Sequence, residues 1–184
     1  MTIWVALFRG INVGGKNRLP MKDLVEDLEH LGCTSVITYI QSGNAVFRKP
    51  AVKAGTFAKR IEAALADGRG IDTKVRLVPA RELASAIDLN PFANATADPK
   101  SLHVYFLATV PDPSKLQSLN DALNDAKAES ESVSLQGDLF FLHAPDGIGR
   151  SKLAAKVEKL LGVSATSRNW RTVITLLDLT RKIS

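Results

Sequence analysis

Three short polar segments carry residues able to do chemistry. The first is FRGINVGGKN, residues 8–17. Gly10 and the Gly15-Lys16 pair have the G-x-x-x-x-G-K spacing of a phosphate-binding loop, in which backbone N–H groups and a lysine surround phosphate oxygens. Asn17, however, stands where that motif needs a Ser or Thr hydroxyl for Mg²⁺. Pro20 keeps a helix from starting at Lys16, because the preceding Leu19 is pushed out of the helical region. No later strand ends in a metal-holding Asp, since FLATVPD runs into Pro111. A nucleotide-hydrolysing site is therefore not expected. A weaker chemistry remains, because successive N–H groups of a Gly-rich loop form a nest for an anion. Arg9, Lys16 and Arg18 would supply charge, and Asn12 and Asn17 directional amides. The competing reading is that Gly10, Gly14 and Gly15 merely permit positive φ. Against it, a long loop in a compact domain is more often functional than a plain connector.

The second segment is QSGN, residues 41–44, a polar hairpin between apolar strands. Its simplest reading is that Ser42-Gly43 makes the turn and Asn44 bonds nearby backbone. The functional reading sets Gln41, Ser42 and Asn44 beside the 9–18 loop as ligand contacts. Ser42 has no histidine placed to serve as its base, so it is not read as a nucleophile. The third segment is SRNWRT, residues 167–172. Ser167 or Asn169 is expected to cap the last helix. Arg168 and Arg171 at that helix start would attract an anion, and Arg150 and Lys152 add to the same basic block. Trp170 is expected in the core. The expected ligand-binding set is thus Arg9, Asn12, Gly14, Gly15, Lys16, Gln41, Ser42, Asn44, Arg168 and Asn169. No residue is assigned a catalytic role. His30 and Cys33 are close in sequence but lack the second pair that a zinc site needs, and His103 and His143 fall in strands. No metal and no cofactor is expected.

The elements that must position these segments follow from hydrophobic period and turn chemistry. IWVALF reads as a strand and PMKDLVEDLEHLG as a helix, with Pro20 in its first turn and Gly32 at its end. SVITYI and NAVFRK read as a hairpin, residues 52–67 as a helix with Phe57, Ile61 and Leu65 on one face, and TKVRLV as a strand. After a short helix, ARELASAI, and a Pro/Asn-rich linker the order begins again. SLHVYFLATV reads as a strand, and a helix carries Leu116, Leu119 and Leu123. SVSLQ and LFFLHA flank Gly137-Asp138, and RSKLAAKVEKLLG reads as a helix. A short extended piece and a final helix close the series. Laying YIQSGNAVF on VSLQGDLFF matches Gly43 with Gly137 and Asn44 with Asp138. The pattern predicts an internal duplication of a β-α-β-β-α-β unit. The second copy is expected to trade its last strand for a short strand plus a helix.

The chain has 184 residues, 45% of them apolar and 23% charged, which is ordinary for a globular protein with a real core. The formal net charge is +5. It is unevenly spread: residues 1–22 carry four basic side chains and no acid, residues 97–146 three basic against eight acidic, and residues 147–184 eight basic against two. Folding that brings the two basic ends together would create a surface for anions. Cys33 is the only cysteine. No signal peptide or membrane span is apparent, so a cytoplasmic location and no membrane partner are expected. A monomer is expected. Aromatic strands in this order also suggest RNA-binding folds, but the basic-Gly-aromatic signature of the third strand is absent.

The runs VALFRGINVGGKNRLPMKDL, TYIQSGNAVF and GRSKLAAKVEKLLGVSATSRNWRTV resemble the bacterial domain-of-unknown-function family numbered 1697, over nearly the whole chain. The resemblance implies an α+β fold of two tandem ferredoxin-like (α-β plait) units with antiparallel sheets, the second ending in an extra C-terminal helix. It implies no activity. The expected domains are residues 1–79, a connecting helix and linker at 80–99, and residues 100–184. The expected function is a binding module for a phosphorylated metabolite or a nucleic-acid backbone. The alternatives are an enzyme acting on a phosphorylated small molecule and a protein-interaction domain.

Overall fold

The apolar run IWVALF lies in strand β1 (Thr2–Arg9), the centre of a four-stranded antiparallel sheet. The computed structural model describes residues 1–184 apart from Lys16, Ser42 and residues 126–129; at Leu116, Asn120 and residues 123–125 the side chains also lie outside the described set. Helix α1 (Met21–His30) and strands β2 (Thr34–Thr38) and β3 (Asn44–Lys49) follow. Helix α2 (Ala54–Arg69), strand β4 (Lys74–Pro79) and helix α3 (Ala80–Asp88) come next. The sheet order is β2-β3-β1-β4. Strand β1 pairs Ala6 with Ala45 on one side and with Leu77 on the other.

Trp4, Ala6 and Phe8 face a core completed by Leu24 and Leu28 of α1 and by Phe57, Ile61 and Leu65 of α2. The four-residue spacings set these side chains on one stripe of each helix. Burying one such leucine contributes roughly 2 kcal/mol. Val5, Leu7 and Val46, on the opposite face, are equally buried, which is why β1 reads as an unbroken apolar run. Two charged groups tie the helices down. Arg69 donates to both carboxylate oxygens of Asp27 and to Asp23 Oδ2 at 2.7 Å, clamping α2 onto α1. Lys49 donates to Leu31 O at 2.8 Å at the end of α1 and lies 4.7 Å from the Phe57 ring centroid.

The second sheet is built from β5 (Leu102–Leu107), β6 (Ser132–Gln136), β7 (Leu139–His143) and β8 (Ala165–Asn169), in the order β6-β7-β5-β8. Helices α4 (Lys115–Asp125) and α5 (Val157–Leu161) accompany it, and α6 (Trp170–Lys182) closes the chain. Its core joins Tyr105, Leu107, Phe140 and Leu142 to Leu119, Leu153, Val157 and Leu161. The Leu116 and Leu123 side chains, read as part of that helix face, lie outside the described residues. The short extended piece near residue 165 is a full fourth strand, paired with β5 from His103↔Asn169 to Leu107↔Ala165.

The helix expected over RSKLAAKVEKLLG is mostly absent. Two 3₁₀ turns, Ile148–Arg150 and Ala154–Lys156, precede the five-residue α5. Ser151 is extended (φ −67, ψ 115), and its hydroxyl accepts from Ala154 N–H at 2.9 Å. That local bond competes with helical continuation. Both sheets are antiparallel and the architecture is α+β. The chain divides into unit 1, Met1–Ser85 with Thr175–Ser184, and unit 2, Ala86–Ile174. No helix among the described residues is long and apolar enough to cross a membrane.

Candidate functional site

Residues 10–20 connect β1 to α1 and contain an unusual density of left-handed backbone. Gly10, Asn12, Gly14, Gly15 and Asn17 have φ of 74, 54, 60, 76 and 49°. Asn is the side chain that tolerates this region best after glycine. Asn12 Nδ2 donates to Leu19 O at 2.8 Å and to Gln41 O at 2.7 Å, while Asn12 Oδ1 accepts from Leu19 N–H at 2.8 Å. Asn17 Nδ2 donates to Asp72 O at 2.9 Å and Gly10 O at 3.2 Å. Thr73 Oγ1 donates to Arg9 O at 2.8 Å. The two amides read as ligand contacts are thus used to shape the loop and moor it, Asn12 to the hairpin and Asn17 to the start of β4.

The hairpin also bonds the end of β1. Phe8 N–H donates to Gly43 O at 2.9 Å. Gly43 has φ 86, and a Cβ there would come within 2.7 Å of Phe8 Cβ and Ile11 Cγ1. Only glycine fits. Asn44 is buried; its Nδ2 donates to Tyr39 O at 3.1 Å and its carbonyl accepts from Tyr39 N–H at 2.9 Å. These are the backbone bonds of the simpler reading. Arg9, Gly14, Gly15, Arg18 and Gln41 are exposed around this corner. Lys16 and Ser42 lie outside the described residues. Sequence reasoning passed over Val13 and Ile40, which are exposed at the same corner. The signal available was a large aliphatic residue inside a polar turn.

Among the described residues no P-loop geometry forms. Helix α1 begins at Met21, after Pro20 with φ −57 and ψ 138, and the sheet that precedes it is antiparallel.

Arg168 and Asn169 belong to unit 2. Arg168 is a residue of β8, opposite Val104, not of a helix start. Burial pushes its guanidinium down to about 10, and its Nη1 donates to Ser167 O at 2.8 Å. Asn169 is the cap of α6, its Oδ1 accepting from Thr172 N–H at 2.9 Å. Trp170 is buried.

The two units offer an internal comparison. Phe8 N–H donates to Gly43 O in unit 1, and Leu107 N–H donates to Asp138 O in unit 2, both at 2.9 Å. Leu7 pairs with Asn44 as Phe106 pairs with Leu139. Gly43 therefore corresponds to Asp138, one residue away from the match the sequence suggested. The hairpin connection is residues 40–43 in unit 1 and only Gly137-Asp138 in unit 2. The strand-to-helix connection is residues 10–20 in unit 1 and residues 108–114 in unit 2. Unit 1 is longer in two places, and those two places touch.

Other polar groups are less suggestive. His103 is buried, and burial lowers its pKa against the smaller opposing effect of a hydrogen bond to the Ser101 backbone. Burial also pushes the Cys33 thiol up to about 11. Lys59 and Arg60 flank a shallow hollow on α2, with Gly55, Thr56 and Ala63. All five residues lie on one helix.

Among solved structures, the chain is similar to the conserved bacterial protein SP0830 from Streptococcus pneumoniae. The TM-score is 0.71 at 20% identity, covering 97% of this chain and 98% of that one. That likeness speaks for the fold. No curated protein matches. The family described as a protein of unknown function (DUF1697) matches residues 1–141, and the chain belongs to that family.

Proposed function

We propose that the protein is a binding module for an anionic, phosphate-bearing ligand seated at the loop–hairpin corner of unit 1. The observation that carries this reading is the meeting of the two enlarged segments, residues 10–20 and 40–43, through the Asn12–Gln41 bond and the close approach of Ile11 to Gly43. Where two copies of one scaffold differ by extra residues that converge, the additions serve something the scaffold does not need. Charge supports it: residues 1–22 hold Arg9, Lys16, Arg18 and Lys22 and no acid. In this reading Asn12, Asn17 and Asn44 shape the corner. The exposed Gly14, Gly15, Arg18 and Gln41 face the ligand, and Lys16 and Ser42, outside the described residues, enter the reading from the sequence alone. The scaffold is read as two duplicated ferredoxin-like units, supported by the matching strand orders. The buried lone Cys33 favours a reducing, cytoplasmic setting. Contribution from Arg168 is a separate proposition, because that residue sits in unit 2.

Isothermal titration with inorganic phosphate, phosphorylated metabolites and short oligonucleotides tests the reading. Lys16→Ala with Arg18→Ala is expected to weaken binding at least tenfold, and Arg168→Ala probes the separate proposition. Unchanged affinity in the Lys16/Arg18 double variant would sink the unit 1 site.

A further inference from the structure

Each sheet leaves two outer strands, β2 and β4 in unit 1 and β6 and β8 in unit 2. An outer strand presents unpaired N–H and C=O groups that template another strand unless something blunts it. Strand β2 slips register between Thr34 and Ile37 and holds Ser35 at φ 52. Strand β4 begins with the exposed Lys74, and its Val75 N–H donates to Glu62 Oε1 at 2.8 Å. In β8 the Ala165 N–H donates to Glu158 Oε1 at 2.8 Å. Strand β6, SVSLQ, has none of these devices. It carries no charge and no proline, and all five of its residues pair with β7 in unbroken register. The alternation of an antiparallel ladder identifies its open groups. Leu107 N–H donates to Asp138 O, so that carbonyl faces β5. Leu139 and Phe141 therefore turn their backbone groups toward β6, to Gln136 and Ser134. Val133 and Leu135 are left with N–H and C=O directed away from the sheet, and among the described residues no further strand pairs with them. Their side chains are half-buried against the unit 2 core.

We infer that β6 is the edge at which the chain pairs with a second copy of itself, in place of the monomer the sequence suggests. The strand is self-complementary. Laid antiparallel about a two-fold axis at Ser134, Ser132 meets Gln136, Val133 meets Leu135 and Ser134 meets Ser134 of the other copy. Val133 and Leu135 of opposite copies then exchange both backbone bonds, and these apolar pairs set the two unit 2 cores side by side. A two-fold contact uses the same edge of both copies, so assembly stops at two. The ladder by itself falls short of the ~800 Å² per partner of a stable interface, which makes the dimer concentration-dependent. Sedimentation equilibrium of the full chain from micromolar to millimolar concentration, with amide hydrogen exchange at the same concentrations, tests the pairing. Mass is expected to rise from monomer to dimer and no further, and exchange at Val133 and Leu135 to slow with it. Ser134→Lys and Ser134→Glu each set like charges across the axis, and each alone is expected to weaken association about fivefold. Mixed in equal amounts, the two variants are expected to regain the parent's association, a recovery that a misfolded variant would not show. A chain that stays monomeric across the range overturns the proposal, and exchange already slow in that monomer assigns the edge to another segment of the same chain. A dimer indifferent to both charges, or one that leaves exchange at Val133 and Leu135 unchanged, overturns the β6 edge.

Discussion

Asn12 satisfies two backbone carbonyls and one backbone N–H from a single amide, and so joins the loop before α1 to the β2–β3 hairpin. Asn12→Ala strands those groups. Leaving such groups unpaired costs about 1–3 kcal/mol, so urea unfolding should shift by that amount; a change under about 0.5 kcal/mol would place the joint elsewhere. Gly43→Ala should be at least as damaging, because it combines a 2.7 Å clash with φ 86. His103 makes a pH prediction. Burial holds its folded pKa below the 6.5 of the unfolded chain. Above 6.5 neither state binds the proton, and stability is unaffected. As the pH falls through 6.5 toward the lower folded pKa, the unfolded chain takes up the proton first and stability is lost. Urea midpoints followed from neutral to mildly acidic pH should decline, and the decline should be shallower in His103→Leu. At this scale the sequence showed that Asn12, Asn17, Gly43 and Asn44 are special, since polar and flexible residues stood in an apolar frame. It did not show which way the amides point, because a side chain that binds its own backbone and one that binds a ligand have the same composition.

Two glutamates play one part twice. Glu62 Oε1 on α2 accepts from Val75 N–H in β4, and Glu158 Oε1 on α5 accepts from Ala165 N–H in β8, both at 2.8 Å. Each satisfies a donor on the outer edge of an outer strand. Glu62→Ala and Glu158→Ala should therefore cost comparable stability, on the order of 1–2 kcal/mol each, and Gln at either position should restore most of it. Hydrogen exchange at Val75 and Ala165 reads the two losses separately; protection unchanged in both alanine variants would refute the pairing. Element order was legible because strand and helix periods alternate cleanly around glycine turns. Two things were not. The helix around Lys152 fails because the Ser151 hydroxyl takes up the chain's own N–H. Arg168 reads as a helix start only until its ladder with Val104 is known, since pairing across residues far apart in sequence leaves no local trace.

At the level of the whole chain, basic charge is concentrated in segments that the fold assigns to both units, and Arg181 and Lys182 join Arg9 and Arg18 in unit 1. Exposed charges act over a Debye length of about 8 Å at physiological salt. Phosphate affinity at the unit 1 corner should fall steadily between low and physiological ionic strength, and a salt-insensitive affinity would remove charge from the account. Unit 1 is also discontinuous: residues 175–184 complete it after unit 2 has intervened. Synthesis is vectorial, and Thr175 emerges about 90 residues after Ser85. At ordinary ribosomal speeds that delay is on the order of 5–20 s, far longer than a small domain needs to fold. The first-made segment, which already holds the whole β2-β3-β1-β4 sheet and its core, therefore has time to fold before unit 2 is finished, and Thr175–Ser184 is added to it last. Unit 1 is thus the first to be started and the last to be completed.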